Sequence, residues 1–168
     1  MILKGDNILI NIFSKEDIND KYISWLNDKE VVKYSGQRLI KHTHKTCLEY
    51  FLKMKEDNNK FLKIIYLNNN EFIGTMSYMF NYNCVDVGIL IGNKNFWGKK
   101  IGFEAWNISI KYLLSLNHID KITAGCMSTN LAMKNIFIKT KMNFSHSKKI
   151  LNTKSKLLEK FIYYEIIK

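Results

Sequence analysis

The stretch from Cys84 to Met127 constrains the fold more than any other, because it runs strand, helix, strand. Cys84 to Ile91 is an apolar β-type run. From Phe103 to Leu116 the period turns helical, with Ala105, Trp106, Ile108, Ser109, Tyr112, Leu113 and Leu116 on one broad face. Lys121 to Met127 is a short strand again. Two strands joined through a helix lie parallel, and the crossover is right-handed. The flanking segments read as antiparallel. Phe61 to Leu67 and Glu71 to Asn81 enclose Asn68-Asn69-Asn70, a hairpin turn signal, and Phe144 to Asn152 with Lys156 to Ile167 form a terminal pair.

Ahead of this lie a strand over Asn7 to Phe13 and two helices. Ser14 and Asp17 have capping-box spacing, with Ile18, Tyr22, Ile23, Trp25 and Leu26 as the apolar face that follows. Thr43 caps a second helix that runs to about Lys55. The chain, 168 residues without a repeat or a Pro/Gly/Ser-rich linker, therefore reads as one domain: a mixed, mostly antiparallel seven-stranded α/β (α+β) sheet with helices on both faces.

Composition removes several functions. No run approaches the roughly 20 apolar residues of a membrane span, and MILKGDNILI has no signal-peptide pattern. A soluble cytoplasmic protein is expected. Cys47, Cys84 and Cys126 are scattered, as are the four histidines, so neither a disulfide framework nor a metal site is expected. The net charge of +11 invites a nucleic-acid reading, but Arg38 is the single arginine among 26 Lys+Arg. Arginine is the residue that reads guanine and grips phosphate bidentately. Spread-out lysines read as a solvated basic surface, with no nucleic-acid partner expected.

Chemistry concentrates between the first parallel strand and its helix. Gly98 and Gly102 allow close approach of the backbone to a ligand, Lys99 and Lys100 add positive charge, and the helix start offers unpaired N–H groups. A pyrophosphate suits such a turn. It lacks the G-x-G-x-x-G of a Rossmann turn and the G-K-[ST] ending of a P-loop.

Trp97-Gly98-Lys99-Lys100-Ile101-Gly102-Phe103-Glu104-Ala105 resembles the acyl-CoA pyrophosphate loop of the GNAT acetyltransferases, Q/R-x-x-G-x-G/A, and most of all the W-G-K-G-Y-G-T-E-A form of the ribosomal-protein acetyltransferase-like (Rim-type) branch. Lys100 replaces the first motif glycine. Val85-Asp86-Val87-Gly88 is similar to the A-E-I-G of the family's fourth strand. Asn130, Met133, Phe137 and Lys139 match the helix that lines the CoA arm, and Trp25-Leu26-Asn27-Asp28-Lys29-Glu30-Val31 resembles the segment that opens the acceptor half.

The resemblance implies a GNAT fold, acetyl-CoA as co-substrate and a small-molecule amine as acceptor, in a monomer or homodimer. Leu90, Ile91 and Gly92 would bind the pantetheine arm. Gly98, Lys99, Lys100, Ile101, Gly102 and Phe103 would hold the pyrophosphate, and Asn130 and Phe137 would border the cofactor. Asp86 stands at the position of the general base. Phe137 occupies the place of the tyrosine that often serves the family as acid and has no proton to give; water or another tyrosine, with Tyr78 on the neighbouring strand as a candidate substitute, does that step, or proton delivery to the thiolate is not limiting. Arg38 and His42, with His44, fall in the loop over the acceptor, where His42 and His44 are expected to face solvent. The acceptor reading is a nucleotide-linked amino sugar, in keeping with similar sequences and the basic surface. A protein N-terminus, and a non-catalytic acyl-CoA-binding module, are the alternatives.

Overall fold

The computed structural model describes residues 2–152 and 155–168. Eight strands form one sheet in the order β1-β2-β3-β4-β5-β6-β8-β7. They are β1 (Ile2–Lys4), β2 (Ile8–Ile12), β3 (Lys60–Tyr66), β4 (Glu71–Asn81), β5 (Cys84–Ile91), β6 (Lys121–Met127), β7 (Asn143–Leu151) and β8 (Leu158–Ile167). The bounds of β4, β5 and β6 coincide with the sequence reading. The sheet has one strand more than expected, because the three-residue β1 pairs antiparallel with β2 and is too short to show a period. Only β5 and β6 are parallel, as the crossover requires. Among the described residues no helix is long and apolar enough to cross a membrane.

Two helices cover each face. On one face, α1 (Asp20–Asn27) and α2 (His44–Glu56) pack Tyr22, Trp25, Leu26 and Cys47 with Phe13, Phe61 and Phe72. Ser14 and Asp17 do form the expected hydrogen bonds, but around a single 3-10 turn; α1 starts later, where Asn19 accepts from the Tyr22 amide at 3.0 Å. On the other face, α3 (Ile101–Ser115) and α4 (Leu131–Lys139) bury Trp106, Ile110, Leu113 and Phe137 against alternate residues of β2 to β6. Val85 and Val87 point into this core, so Asp86 and Gly88 between them face the α1/α2 side.

The terminal pair of strands forms as expected. β8 is internal, inserted between β6 and β7, and the edge belongs to β7, all of whose residues are exposed. The apolar stripe of β8 reflects an interior place in the sheet, with Ile162 buried against the α3/α4 core.

Candidate active site

Just beyond Asp86, β5 parts from β6. Their ladder has three rungs, Cys84 with Lys121, Val85 with Ile122 and Asp86 with Thr123. From there β5 continues to Ile91 paired only with β4, and β6 continues to Met127 paired only with β8. The sheet therefore opens into a wedge. A groove of about 940 Å³ runs through it, bordered by Val87 to Ile91 on one wall, Gly125 and Cys126 on the other, and Trp106 and Phe137 below.

Register decides which backbone groups face this groove. The Gly92 amide donates to the Ile73 carbonyl of β4 at 3.0 Å. Main-chain groups alternate in direction along a strand, so those of Gly88 and Leu90 also turn toward β4, while those of Val87, Ile89 and Ile91 face the wedge. One is already engaged: the Trp97 indole donates to the Ile91 carbonyl at 2.8 Å. The main chain of Leu90 and Gly92 therefore turns toward β4 and not into the groove, where free backbone groups were expected. Leu90 borders the groove with its amide and carbonyl directed at β4, and Gly92 lies outside the groove, where a side chain would collide with Trp25. Ile89, which the sequence reading did not single out, lines the groove and turns its main chain toward it.

The turn into α3 explains the family's glycine preference. Gly98 has φ +73° and Lys100 φ 64°, both left-handed. Lys100 is the helix N-cap and makes no side-chain capping bond. The amides of Ile101, Gly102 and Phe103 have no intrahelical carbonyl to meet and sit at the positive end of the helix dipole. Gly98, Lys100, Ile101, Gly102 and Phe103 all border the groove. Ile101 can offer only its amide there, since its side chain is buried in the core. Lys99 does not border it; its ammonium lies over the Phe96 ring, 5.5 Å from the centroid. Glu104 is held elsewhere, accepting from the Asn7 amide at 2.8 Å and side chain at 2.9 Å.

Across the groove, Asn130 caps α4 by accepting from the Met133 amide at 3.1 Å, which leaves its Nδ2 donors for a ligand. Phe137 is fully buried, with Trp106 and Tyr164 ring centroids at 5.5 and 4.9 Å. Burial pushes the Cys126 thiol up to about 11, so it remains a neutral packing group.

Asp86 stands at the wedge's apex, next in sequence to Val87 and Gly88 of the groove's wall but not itself part of that wall. Its residue surface is exposed, yet protein surrounds most of the carboxylate. Desolvation is the larger effect and raises its pKa above the ordinary carboxylate range; donation from Thr123 opposes the rise. Solvent still reaches it. Tyr78 is elsewhere. Its side chain is wholly buried in the α3/α4 core, away from the groove, with the Ser109 side chain near its hydroxyl. Burial pushes this phenol far above its usual range, which makes it a poor proton donor to a thiolate.

The acceptor-loop residues are more committed than expected. Arg38 pairs through Nη2 with Glu159 of β8 and donates from Nη1 to the Ser35 carbonyl at 2.6 Å. His42 is buried where exposure was expected. Its Nε2 lies 3.0 Å from the Gln37 carbonyl, and its backbone exchanges hydrogen bonds with the Asn27 side chain. It ties the acceptor loop to α1. Among the described residues no cluster of His, Cys, Asp and Glu comes together that could hold a metal.

Residues 7–143 match the family model described as an acetyltransferase (GNAT) domain. The chain belongs to the GNAT acetyltransferase family. The GNAT fold extends over its whole length. A GNAT-family acetyltransferase from Bacillus anthracis superposes with a TM-score of 0.84 at 20% identity, covering 99% of this chain and 98% of that one. The microcin self-immunity acetyltransferase MccE, in complex with acetyl-CoA and AMP, has a TM-score of 0.81 at 13% identity, with 98% and 94% covered. RimL, a ribosomal-protein alpha-N-acetyltransferase in complex with coenzyme A, has 0.82 at 12%, with 99% and 98% covered. No curated protein matches by sequence. As a GNAT enzyme the chain is an acetyl-CoA-dependent acetyltransferase. The groove suits that co-substrate, with free amides at its basic end and a free strand edge along its wall.

Proposed function

We propose that this protein transfers the acetyl group of acetyl-CoA to a primary amine by direct attack, with Asp86 receiving the amine's proton. The observation that carries this is the place of Asp86, an accessible carboxylate where the wedge closes. An ammonium loses a proton to Asp86, directly or through water. The amine nitrogen then attacks the thioester carbon and the carbon–sulfur bond breaks with its electron pair going to sulfur; the acylated nitrogen sheds its second proton as the thiolate takes one up, so one proton is released overall, through Asp86. The free amides of β5 supply donors for the carbonyl oxygen, and holding both reactants in one wedge removes much of the entropic barrier.

The acceptor is read as an anionic amine, with a nucleotide-linked amino sugar the form that suits the site. A second cavity of about 530 Å³ adjoins the groove and shares Lys33 with it. Its floor is apolar, from Leu26, Val32, Leu39 and Ile40, and its cationic side chains are Lys29, Lys33, Arg38 and Lys41. No acidic side chain lines it among the described residues. A ring system with a phosphate matches that combination. Likeness to a ribosomal-protein alpha-N-acetyltransferase makes an N-terminal peptide the second acceptor to test. Thiol release from acetyl-CoA across UDP- and dTDP-amino sugars, N-terminal peptides and polyamines decides. Turnover of the sugars alone is expected; turnover of peptides alone would replace this acceptor, and CoA binding without turnover of any amine would overturn the reaction.

A further inference from the structure

The end of the β7–β8 hairpin carries a cluster of side chains that the reaction does not use. Its last rung pairs Leu151 with Leu158, and the Asn152 amide closes it by donating to the Leu157 carbonyl at 2.9 Å. Leu151, Leu157 and Leu158 are 54%, 67% and 66% exposed, and Ile150, one rung back, is 42% exposed. Large aliphatic side chains scattered singly over a surface need no explanation, but four together at one hairpin end do.

Lysines stand directly behind this apolar end. Lys149 pairs with Lys160, two residues back from Leu151 and Leu158. Side chains two residues apart share a face of a strand, so this face has a leucine rung at the tip and a lysine rung about 7 Å behind it. On the opposite face Lys148 stands behind Ile150 in the same way, and Lys156 beside Leu157 is exposed as well. Like charges directly opposite each other destabilise a strand pair, and an anion between Lys149 and Lys160 relieves that repulsion. From Lys148 to Lys160 the one acidic residue is Glu159. Its carboxylate is engaged by Arg38 and, at 2.9 Å, by the Asn152 side chain.

We propose that this hairpin end docks on an anionic lipid surface, its leucines at the acyl boundary and its lysines among the headgroup phosphates. Charge selects this occupant. A second copy of the chain would bring an identical set of lysines, and Lys148 and Lys149 guard the β7 edge against strand pairing. A protein partner needs about 800 Å² of complementary surface on each side, and a two-stranded tip offers far less. A lipid surface imposes no shape and takes apolar area and positive charge together. Asn152 and Ser155 of the same end line the second cavity, so a docked enzyme holds that cavity beside the headgroups. The docking is independent of which amine is acetylated.

Co-sedimentation of the full chain with vesicles tests this. Vesicles of equal parts phosphatidylglycerol and phosphatidylcholine are expected to bind the wild type, and phosphatidylcholine alone to leave it in solution. Lys149→Gln with Lys160→Gln should weaken binding about 25-fold, since each lysine near an anionic surface is worth about fivefold. Leu151→Ser with Leu158→Ser keeps every charge and should weaken it at least about tenfold. All four side chains are exposed, so melting temperatures are expected to stay near wild type. Lys53→Gln with Lys55→Gln removes the same charge from the last turn of α2, which ends beside the β4–β5 turn at the other end of the sheet, and should bind as wild type does. Absence of binding to the anionic vesicles would overturn the proposal. So would an equal loss in both lysine pairs, which would make net charge the cause, or full binding by the leucine variant. A dimer that the leucine changes dissociate would give the tip to a second copy, and retention on polyglutamate as tight as on vesicles would give it to an acidic protein.

Discussion

The Thr123 hydroxyl donates to Asp86 Oδ2 at 2.9 Å across the last rung that joins β5 to β6. The bond lies where pairing ends, so it fixes the carboxylate at the mouth of the wedge and also favours its charged form. Desolvation works in the opposite sense and is the larger of the two.

A pH dependence follows from that balance. Asp86 accepts a proton only when ionised, so kcat/KM rises with pH through the Asp86 pKa, which lies above the ordinary carboxylate range. Thr123→Val removes the interaction that lowers this pKa, and the rising limb should move to higher pH; Thr123→Ser keeps the donor and should hold it in place. Asp86→Asn should abolish the limb and lower the rate about 100-fold. A limb unmoved in Thr123→Val would show that Asp86 is not the group titrating.

Lys100 is a non-glycine residue at φ 64° where the family's motif has glycine. The left-handed conformation costs a side-chain-bearing residue about 1–2 kcal/mol, and glycine carries an entropic cost of about 0.5–1 kcal/mol against it. Lys100→Gly should therefore leave the melting temperature unchanged or raise it by a few degrees. The same variant loses one positive charge at the uncapped start of α3, so its affinity for CoA should fall several-fold, and less so at high salt. Stability by calorimetric melting and affinity by titration should move in opposite directions; a joint loss would mean that the lysine holds the turn together.

Much of this was legible because the signals are local. The periods of β4, β5 and β6, the Asn68–Asn70 turn and the glycines around the start of α3 are properties of short windows, and the structure keeps each. What was illegible depends on neighbours. Whether Leu90 or Ile89 turns its amide to the wedge is a matter of register with β4, set by the Gly92–Ile73 bond. Tyr78 and Tyr163 are both strand tyrosines, and only the sheet order places one inside the core and the other over Gly125. His42 looked like a loop residue until Asn27 and Gln37 closed around it.

Gly92 makes a separate, structural demand. A methyl group there would overlap the Trp25 ring, which packs edge-on against Phe72 with centroids 5.0 Å apart. Overpacking of this kind costs about 1–3 kcal/mol, or a melting temperature lower by about 3–10 °C in a domain of this size. Gly92→Ala should therefore destabilise the enzyme while CoA, held in a groove that Gly92 does not line, binds the folded fraction with unchanged affinity. Loss of CoA affinity without loss of stability would return Gly92 to the pantetheine site.

Lys33 tests the acceptor. It lies between the two cavities and is shared by both, its ammonium 5.2 Å from the Tyr34 ring centroid. Arg38 is a poorer probe, because removing it also strands Glu159. An anionic acceptor reaching from the wedge into the second cavity passes Lys33, and one such attraction near the surface is worth about 1 kcal/mol. Lys33→Met should raise KM for the acceptor about fivefold, with kcat and the KM for acetyl-CoA unchanged. The effect should fade at high ionic strength, since the contact is exposed. A neutral or cationic acceptor would show the reverse, with KM unchanged or improved, and steady-state kinetics at two salt concentrations tells these outcomes apart.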